Sequence, residues 1–451
     1  MSTTVQGVID ELHRRHYREL VAPLIRILGS FERAEDVVQD AFATAWSKWT
    51  EQGIPDTPLA WLRTTAKHRA IDDYRRSSRW TSKASALTAE AGLDASRTDP
   101  GFDDLWGRED VALGDDSLRL IFTCCHPSLN PEAQVALTLR TVCGLTSEQV
   151  ARAFLLKAST LQQRIVRAKK KIDQARIPYV IPTREELPAR LDSVLRTVYL
   201  VFNEGYGASD GDALIRRELC DEAIRLGRLL SSLLPEAAAV RGLLALMMLH
   251  HSRRDARTGP AGELVTLERQ DRGRWDRALI DEALPLVDEA LRGRPVSSYA
   301  IEAAIAALHA TAAEASETDW AQISALYGVL EGQSGGSPVV SLNAAVATAM
   351  SGRVDLGLRR LEQLEQEGRL SGYHLLPVAR GELWLLAGKP ESARDAFEEA
   401  LGLVRNPVER RHLQGRLSEV HEIMRKTAGE GPSTEAPAHR ADAEEKKVRE
   451  K

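Results

Sequence analysis

Two capping signatures thirteen residues apart do most to fix what this chain can fold into: Thr146-Ser147-Glu148-Gln149 and Ser159-Thr160-Leu161-Gln162. In each, the hydroxyl can accept from an amide three residues on while the glutamine reaches back, so each predicts a helix start. Helices opening near 147 and 160 leave only a short turn around Leu156 to Ala158. That pairing is the sequence form of a helix-turn-helix. Upstream, Asn130-Pro131-Glu132 supplies an N-cap and a proline at the first helical position, and Gly144 closes that helix about four turns on.

The second helix of the pair would place Leu161, Ile165, Ala168 and Ile172 on one stripe, leaving Gln162, Gln163, Arg164 and Arg167 opposite. Glutamine and arginine suit bidentate pairing with adenine and guanine edges in the major groove. Lys169, Lys170 and Lys171 suit phosphate, which adds affinity without sequence information. A capped hairpin buried in a core is the alternative for this segment alone.

Apolar residues recur at helical spacing through most of the chain, and runs of alternating β-branched residues are lacking, so the fold reads as all-α. At 451 residues it should hold several domains. Val5 to Leu28 and Ala34 to Trp49 read as amphipathic helices split at Gly29-Ser30, the second with Val38, Phe42, Ala45 and Trp49 on one face and Glu35, Asp36, Gln39 and Asp40 elsewhere. Leu59 to Arg76 follows, with Leu62, Ala66, Ala70 and Tyr74 spaced by four. From Ser77 to Gly114 periodicity fades, as in a flexible linker.

The formal charge of −5 argues against nucleic acid until it is resolved along the chain. Residues 61–80 carry six basic and two acidic side chains, residues 157–176 seven and one, and residues 85–116 between them two and nine. Two basic segments flanking an acidic one match the footprint of a two-point nucleic-acid binder, although solvated helix faces would give the same counts.

Further on, Leu342–Leu361 aligns with Val378–Phe397 at a spacing of 36, matching Gly352 to Gly388 and Leu361 to Phe397. This is close to the tetratricopeptide period, with Ser298 to Leu330 as a degenerate neighbour. The tail from Lys426 reads as disordered. No apolar run approaches a membrane span and the polar start lacks a signal-peptide core, so the expected address is cytoplasmic, with the four cysteines reduced.

Taken together, these residues resemble the bacterial extracytoplasmic-function (ECF) sigma factors, the initiation subunits of RNA polymerase. Arg33-Ala34-Glu35-Asp36-Val37-Val38-Gln39-Asp40-Ala41-Phe42 with Ala45-Trp46 is similar to sigma region 2.2; Trp61-Leu62-Arg63 through Ala70-Ile71-Asp72 to Arg75-Arg76 is similar to regions 2.3 and 2.4; Leu129 to Ile172 is similar to region 4. Tyr199 to Tyr206, Leu219 to Ala223, Gly242 to Leu246, and Gln270-Asp271-Arg272 with Trp275-Asp276 resemble the ECF group with a long repeat-bearing C-terminal extension.

The resemblance implies two small helical sigma domains, 1–80 and 115–178, joined by an acidic linker, 81–114. A family-specific helical domain (179–295), tetratricopeptide-like repeats (296–424) and a tail (425–451) follow. It implies docking of Asp36, Gln39, Asp40, Phe42 and Trp46 on the clamp helices of the polymerase β′ subunit, with core packing the alternative for Phe42 and Trp46. It implies capture and melting of the minus-ten element by Arg63, Lys67, His68, Arg69, Asp73, Arg75 and Arg76, with Trp61 and Tyr74 structural. Duplex reading of the minus-thirty-five element falls to Ser159, Thr160, Gln162, Gln163, Arg164, Arg167 and Lys169. The implied partners are core RNA polymerase, through the β′ clamp helices and the β flap, promoter DNA, and a protein or peptide ligand of the repeats. No cofactor, metal, membrane or catalytic residue is implied. The acids Asp103, Asp104, Glu109 and Asp110 would suit a polymerase channel.

Three other readings compete. Cys124-Cys125-His126 with Cys143 offers zinc-ligand types, but adjacent cysteines point to different sides of a helix, and small buried thiols fit better. An enzyme could use Asn203-Glu204-Gly205-Tyr206-Gly207-Ala208-Ser209-Asp210-Gly211-Asp212, yet the stretch has neither calcium-loop nor phosphate-loop spacing. A helix-turn-helix DNA-binding regulator with a repeat-based sensor domain would leave the region-2 segment unused. His13 and His16 read as exposed, and His250-His251 as surface or interface.

Overall fold

A computed structural model describes residues 4–89, 109–154, 156–206, 217–259, 263–333, 335–404 and 406–427. The chain divides into two compact units, residues 1–261 with 265–318, and residues 262–264 with 319–451. Among the described residues the regular elements are all helices.

In the first unit α1 (Val5–Leu28) and α2 (Phe31–Gln52) meet at Gly29, whose φ of 66° reverses the chain, and Ser30 caps α2 by accepting from the Arg33 amide. Helix α3 (Pro58–Ala89) buries Leu62, Ala66 and Ala70, the expected stripe. Its backbone stays helical thirteen residues beyond Arg76, where loss of periodicity pointed to a linker. Loss of an apolar stripe removes packing but not helix propensity, so the inferred stop was too early. Residues 90–108, with Asp103 and Asp104, lie outside the described residues.

Helix α4 (Glu109–Cys124) leads to α5 (Pro131–Leu137), where Asn130 Oδ1 accepts from the Ala133 amide at 2.8 Å as the N-cap predicts. The helix expected to run on to Gly144 instead widens into a π-turn at Thr138–Val142 before Gly144 turns the chain at φ 72°. The helix-turn-helix is α6 (Ser147–Ala153) and α7 (Ala158–Gln174). Its first capping box forms in both directions, Gln149 amide to Thr146 Oγ1 at 3.2 Å and Thr146 amide to Gln149 Oε1 at 2.8 Å. The second does not: the N-cap of α7 is Lys157, which makes no side-chain cap, and Ser159 is already inside the helix.

The extension begins with α8 (Leu187–Tyr206), which packs on α4 and α5, and continues through α9 (Arg217–Leu233), α10 (Ala238–Ser252), α11 (Arg277–Arg292) and α12 (Ser298–Thr311). Fully buried Tyr17, Phe122 and Phe202 come from α1, α4 and α8, so sigma-like and extension helices contribute to the same unit's core. Each contributes roughly 1.5–3 kcal/mol by leaving water.

The second unit holds α13 (Trp320–Gln333), α14 (Pro338–Met350), α15 (Val354–Gln366), α16 (Leu375–Leu386), α17 (Pro390–Leu403) and α18 (Pro407–Thr427). The 36-residue repeat is two helical hairpins, α14–α15 and α16–α17, with Gly352 and Gly388 both at positive φ in the turns and Leu361 and Phe397 both fully buried. Ser298 to Leu330 is not a third copy. Helix α12 packs on α10 in the first unit, whereas α13 packs on α14 in the second.

Candidate nucleic-acid interface

Helix α7 buries Leu161, Ile165, Ala168 and Ile172, and this fixes which way its polar residues face. Ser159, Thr160, Gln162, Gln163 and Arg167 are exposed, as base or phosphate readers must be. Arg164 is half-buried and pairs with Glu132 on α5 at 2.9 Å. Lys169, read as a phosphate contact, instead forms a close ion pair with Glu35 of α2.

Glu35 was placed off the apolar face of α2, yet it is 7 % exposed. Positions 35, 38, 42, 45 and 49 step by three and four, so the carboxylate shares the buried stripe. A buried carboxylate needs a partner, and Lys169 supplies it. Around it, Asp36, Gln39 and Asp40 are exposed and so is Trp46, at 46 %, which suits an interface and departs from core packing. Phe42 is buried against the His13 ring, 5.1 Å away, and packs rather than presents.

On α3 the basic side chains divide. Arg63 pairs with Glu19 at 3.2 Å, Arg69 with Asp40 at 3.2 Å, and Asp73 accepts from Arg33 at 2.7 Å. Lys67 is half-buried, while His68, Arg75 and Arg76 are exposed. Trp61 packs edge-on to Trp49 at 5.5 Å, in the structural role expected.

The two halves of the candidate interface therefore touch. Besides Lys169–Glu35, Arg26 of α1 pairs with buried Asp116 of α4 at 3.0 Å, and Tyr179 donates to Ala22 O at 3.0 Å. His13, expected at the surface, donates from Nδ1 to Gly144 O at 3.0 Å. Burial and the nearby Arg140 push its pKa down to about 4, so it is neutral there. A Cβ on Gly144 would sit 2.9 Å from His13 O. None of these partners follows from local pattern, since each bond joins residues 90 or more apart.

The extension holds the same assembly from the other side. Arg190 donates to Phe122 O at 2.7 Å, Ser193 to Cys125 O at 2.7 Å, and Thr197 to Gln134 Oε1 at 3.1 Å. Buried Arg18 of α1 lies in the field of Glu222 and Arg225 on α9. Cys124, Cys125 and Cys143 are free and buried. Burial pushes all three thiols up, Cys125 to about 11, so they serve as packing beneath the helix pair rather than as thiolates. Of the stretch Asn203–Asp212, residues 207–212 lie outside the described residues.

Comparison with known proteins decides what this geometry belongs to. The family model for Sigma-70 region 2 matches residues 12–80, that for Sigma-70 region 4 matches residues 119–172, and a family of unknown function matches residues 190–291. An uncharacterised protein of Rhizobium meliloti is 42 % identical over 400 residues, 88 % of this chain and 92 % of the relative. A probable ECF RNA polymerase sigma factor, SigI, of Mycobacterium tuberculosis is 29 % identical over 166 residues, 36 % of this chain and 54 % of its own. The ECF RNA polymerase sigma factor SigK of a Mycobacterium species is 27 % identical over 155 residues, 34 % of this chain and 75 % of its own.

The chain belongs to the ECF sigma factors. Helices α1–α3 are thus its region 2 and α4–α7 its region 4, and α8–α11 fall in the stretch matched by the family of unknown function. Among the described residues no helix is long and apolar enough to cross a membrane.

Proposed function

We propose that this ECF sigma factor is held closed by its own extension and must open to engage core RNA polymerase and both promoter elements at once. The ion pair between Glu35 of region 2 and Lys169 of the recognition helix carries the reading. By their names the two elements lie about 25 base pairs apart, or about 85 Å of duplex at 3.4 Å per step. A 17-residue helix such as α7 is only about 25 Å long. Region 4 touching region 2 therefore cannot reach its element while region 2 holds the other. Between Arg76 and Asp116 the helical ends of α3 and α4 and the nineteen residues 90–108, if extended, would together span up to about 95 Å, so the chain permits separation.

In the open state, Asp36, Gln39, Asp40 and Trp46 would meet the β′ clamp helices, with Asp40 released from Arg69. His68, Arg75 and Arg76, joined by Arg63, Lys67, Arg69 and Asp73, would line the minus-ten strand. Ser159, Thr160, Gln162, Gln163 and Arg167 would read the minus-thirty-five duplex, with Arg164 and Lys169 freed to assist. The apolar groove of about 230 Å³ beside the recognition helix, lined by Val135, Val150, Phe154, Leu161 and Leu200, suits the β flap. Leu200 belongs to the extension, so the same helix that braces region 4 also forms one wall of that groove.

Run-off transcription with core polymerase on a promoter library tests the reading, using the full chain and a truncation after Tyr206, which keeps the α8 brace of region 4. Promoter-specific transcripts from the full chain, altered by truncation, support it. No transcript above core alone would overturn the promoter roles, and equal activity of both proteins would overturn control in cis.

A further inference from the structure

The sigma roles leave unused an arginine cluster in the extension, within the stretch matched by the family of unknown function. Arg257 lies over the Tyr206 ring with its guanidinium carbon 3.7 Å from the centroid. Arg253 donates to the Tyr206 hydroxyl at 2.7 Å and lies 5.8 Å from the Trp275 ring. Arg272 lies 4.9 Å from that same ring. Two aromatic rings thus gather three guanidinium groups from two turns of the chain, Arg253 and Arg257 flanking one and Arg272 opening the other.

Three nearby carboxylates pair with other cations. Asp255 pairs with Arg217 and Arg254, Asp276 with Arg254, and Asp221 with His251, which at 3 % exposure is buried rather than surface. Asp271 accepts from the Gly273 amide, and Glu317, whose field reaches Arg272, accepts from the Ala313 amide. Among the described residues, none of the ion pairs includes Arg253, Arg257 or Arg272.

Helix ends offset part of this charge. Arg257 donates to Tyr206 O at the end of α8, Arg272 to His309 O and Ala312 O at the end of α12, and Arg253 is itself the C-cap of α10. Each helix end carries roughly −0.5, so three ends give about −1.5 against +3. Counting also the Glu317 carboxylate, whose field reaches Arg272, an excess of roughly +0.5 remains. A phosphate monoester carries about −1.5 to −2 near neutral pH, and guanidinium forks are the side chains suited to hold it. Two donors of the cluster, Trp275 Nε1 and Arg272 Nε, are buried without a hydrogen-bond partner, on residues only 3 % and 7 % exposed, while the Arg272 Nη groups donate to His309 O, Ala312 O and Thr318 Oγ1. Arg253, Arg257 and Tyr206 are half-buried and give the cluster a solvent-reachable side.

We propose that Arg253, Arg257 and Arg272, with Tyr206 and Trp275, form a binding site for a phosphate-bearing small molecule, making this part of the extension a ligand sensor. His250 and His309 are neutral because burial and the arginines' field lower their pKa values, and His250 Nδ1 accepts from Arg253 at 2.9 Å.

Calorimetric titration of the full chain in phosphate-free buffer, with inorganic phosphate in one arm and ADP in the other, tests this. At least one anion should saturate one site with a Kd below roughly 1 mM. Tighter phosphate would mark a free anion as the ligand, and tighter ADP a phosphate ester with an organic body. Arg253→Gln and Arg257→Gln should each weaken binding about tenfold or more. Should either fail to fold, Arg253→Lys keeps the charge, loses the fork and should still bind less well. Arg75→Gln and Arg167→Gln, on the promoter surfaces, should leave the titration unchanged. Absence of saturable binding to the folded wild type, binding indifferent to the Arg253 and Arg257 changes, or binding lost only with Arg75 or Arg167, would each overturn the site.

Discussion

Replacing Glu35 by glutamine isolates the contact between the two promoter-reading halves. The substitution keeps the shape of a side chain 7 % exposed and removes the charge facing Lys169, whose side chain is 20 % exposed. Breaking a fully buried pair costs roughly 3–5 kcal/mol; partial exposure of the lysine and the polar amide that remains reduce this to about 2 kcal/mol. That is roughly a thirty-fold shift toward separation of regions 2 and 4. Glu35 is absent from both the proposed polymerase face and the proposed DNA faces, so its loss should raise run-off transcription at limiting sigma factor. The free protein should also melt a few degrees lower. A lower melting temperature with unchanged or reduced transcription would show that the contact is structural only. The exchange Glu35→Lys with Lys169→Glu should recover part of the melting temperature, since it restores opposite charges across the same gap.

Gly144→Ala adds a Cβ 2.9 Å from His13 O at a φ of 72°, and should destabilise the first unit by about 1–3 kcal/mol in thermal melts. Acid should weaken the same seam. His13 binds no proton in the folded state until about pH 4, whereas the unfolded side chain takes one near 6.5. Stability therefore falls as pH drops from 6.5 toward 4, by up to about 1.4 kcal/mol per pH unit, and His13→Gln should flatten that slope in pH-dependent denaturation. On DNA, Arg75→Ala and Arg76→Ala should weaken promoter complexes broadly and lower the salt slope by about one each. Gln163→Ala or Arg167→Ala should instead relax preference at individual minus-thirty-five positions, read from a promoter library.

What could be read in the sequence was whatever depends on neighbours three or four residues away. The Asn130 cap, the Thr146–Gln149 box and the apolar stripe of α7 are all of that kind, while the Gly352 and Gly388 turns were legible through the 36-residue repeat. Ser159 failed because Lys157 had already started the helix two residues earlier, and a capping box describes only the segment that contains it. The partners of Lys169, Arg26 and His13 lie 134, 90 and 131 residues away, beyond any local pattern. For Glu35 a signal did exist: it lies in register with Val38, Phe42 and Ala45, and an acid in a buried stripe calls for a distant cation.

The extension is therefore better understood as part of region 4 than as cargo attached behind it. Gln134, inside α5, is satisfied by Ser193 and Thr197 of α8 as well as by its own turn. The carbonyls of Phe122 and Cys125 at the end of α4 are satisfied by Arg190 and Ser193 of the same helix. Removing α8 would exchange these bonds for water at the base of the helix pair, each a net loss of about 0.5–1.5 kcal/mol. Any ligand that stiffens or loosens the far end of α8, where Tyr206 meets Arg253 and Arg257, acts on a helix whose near end braces region 4. A single 20-residue helix, about 30 Å long, thus joins the arginine cluster to the recognition helix's support.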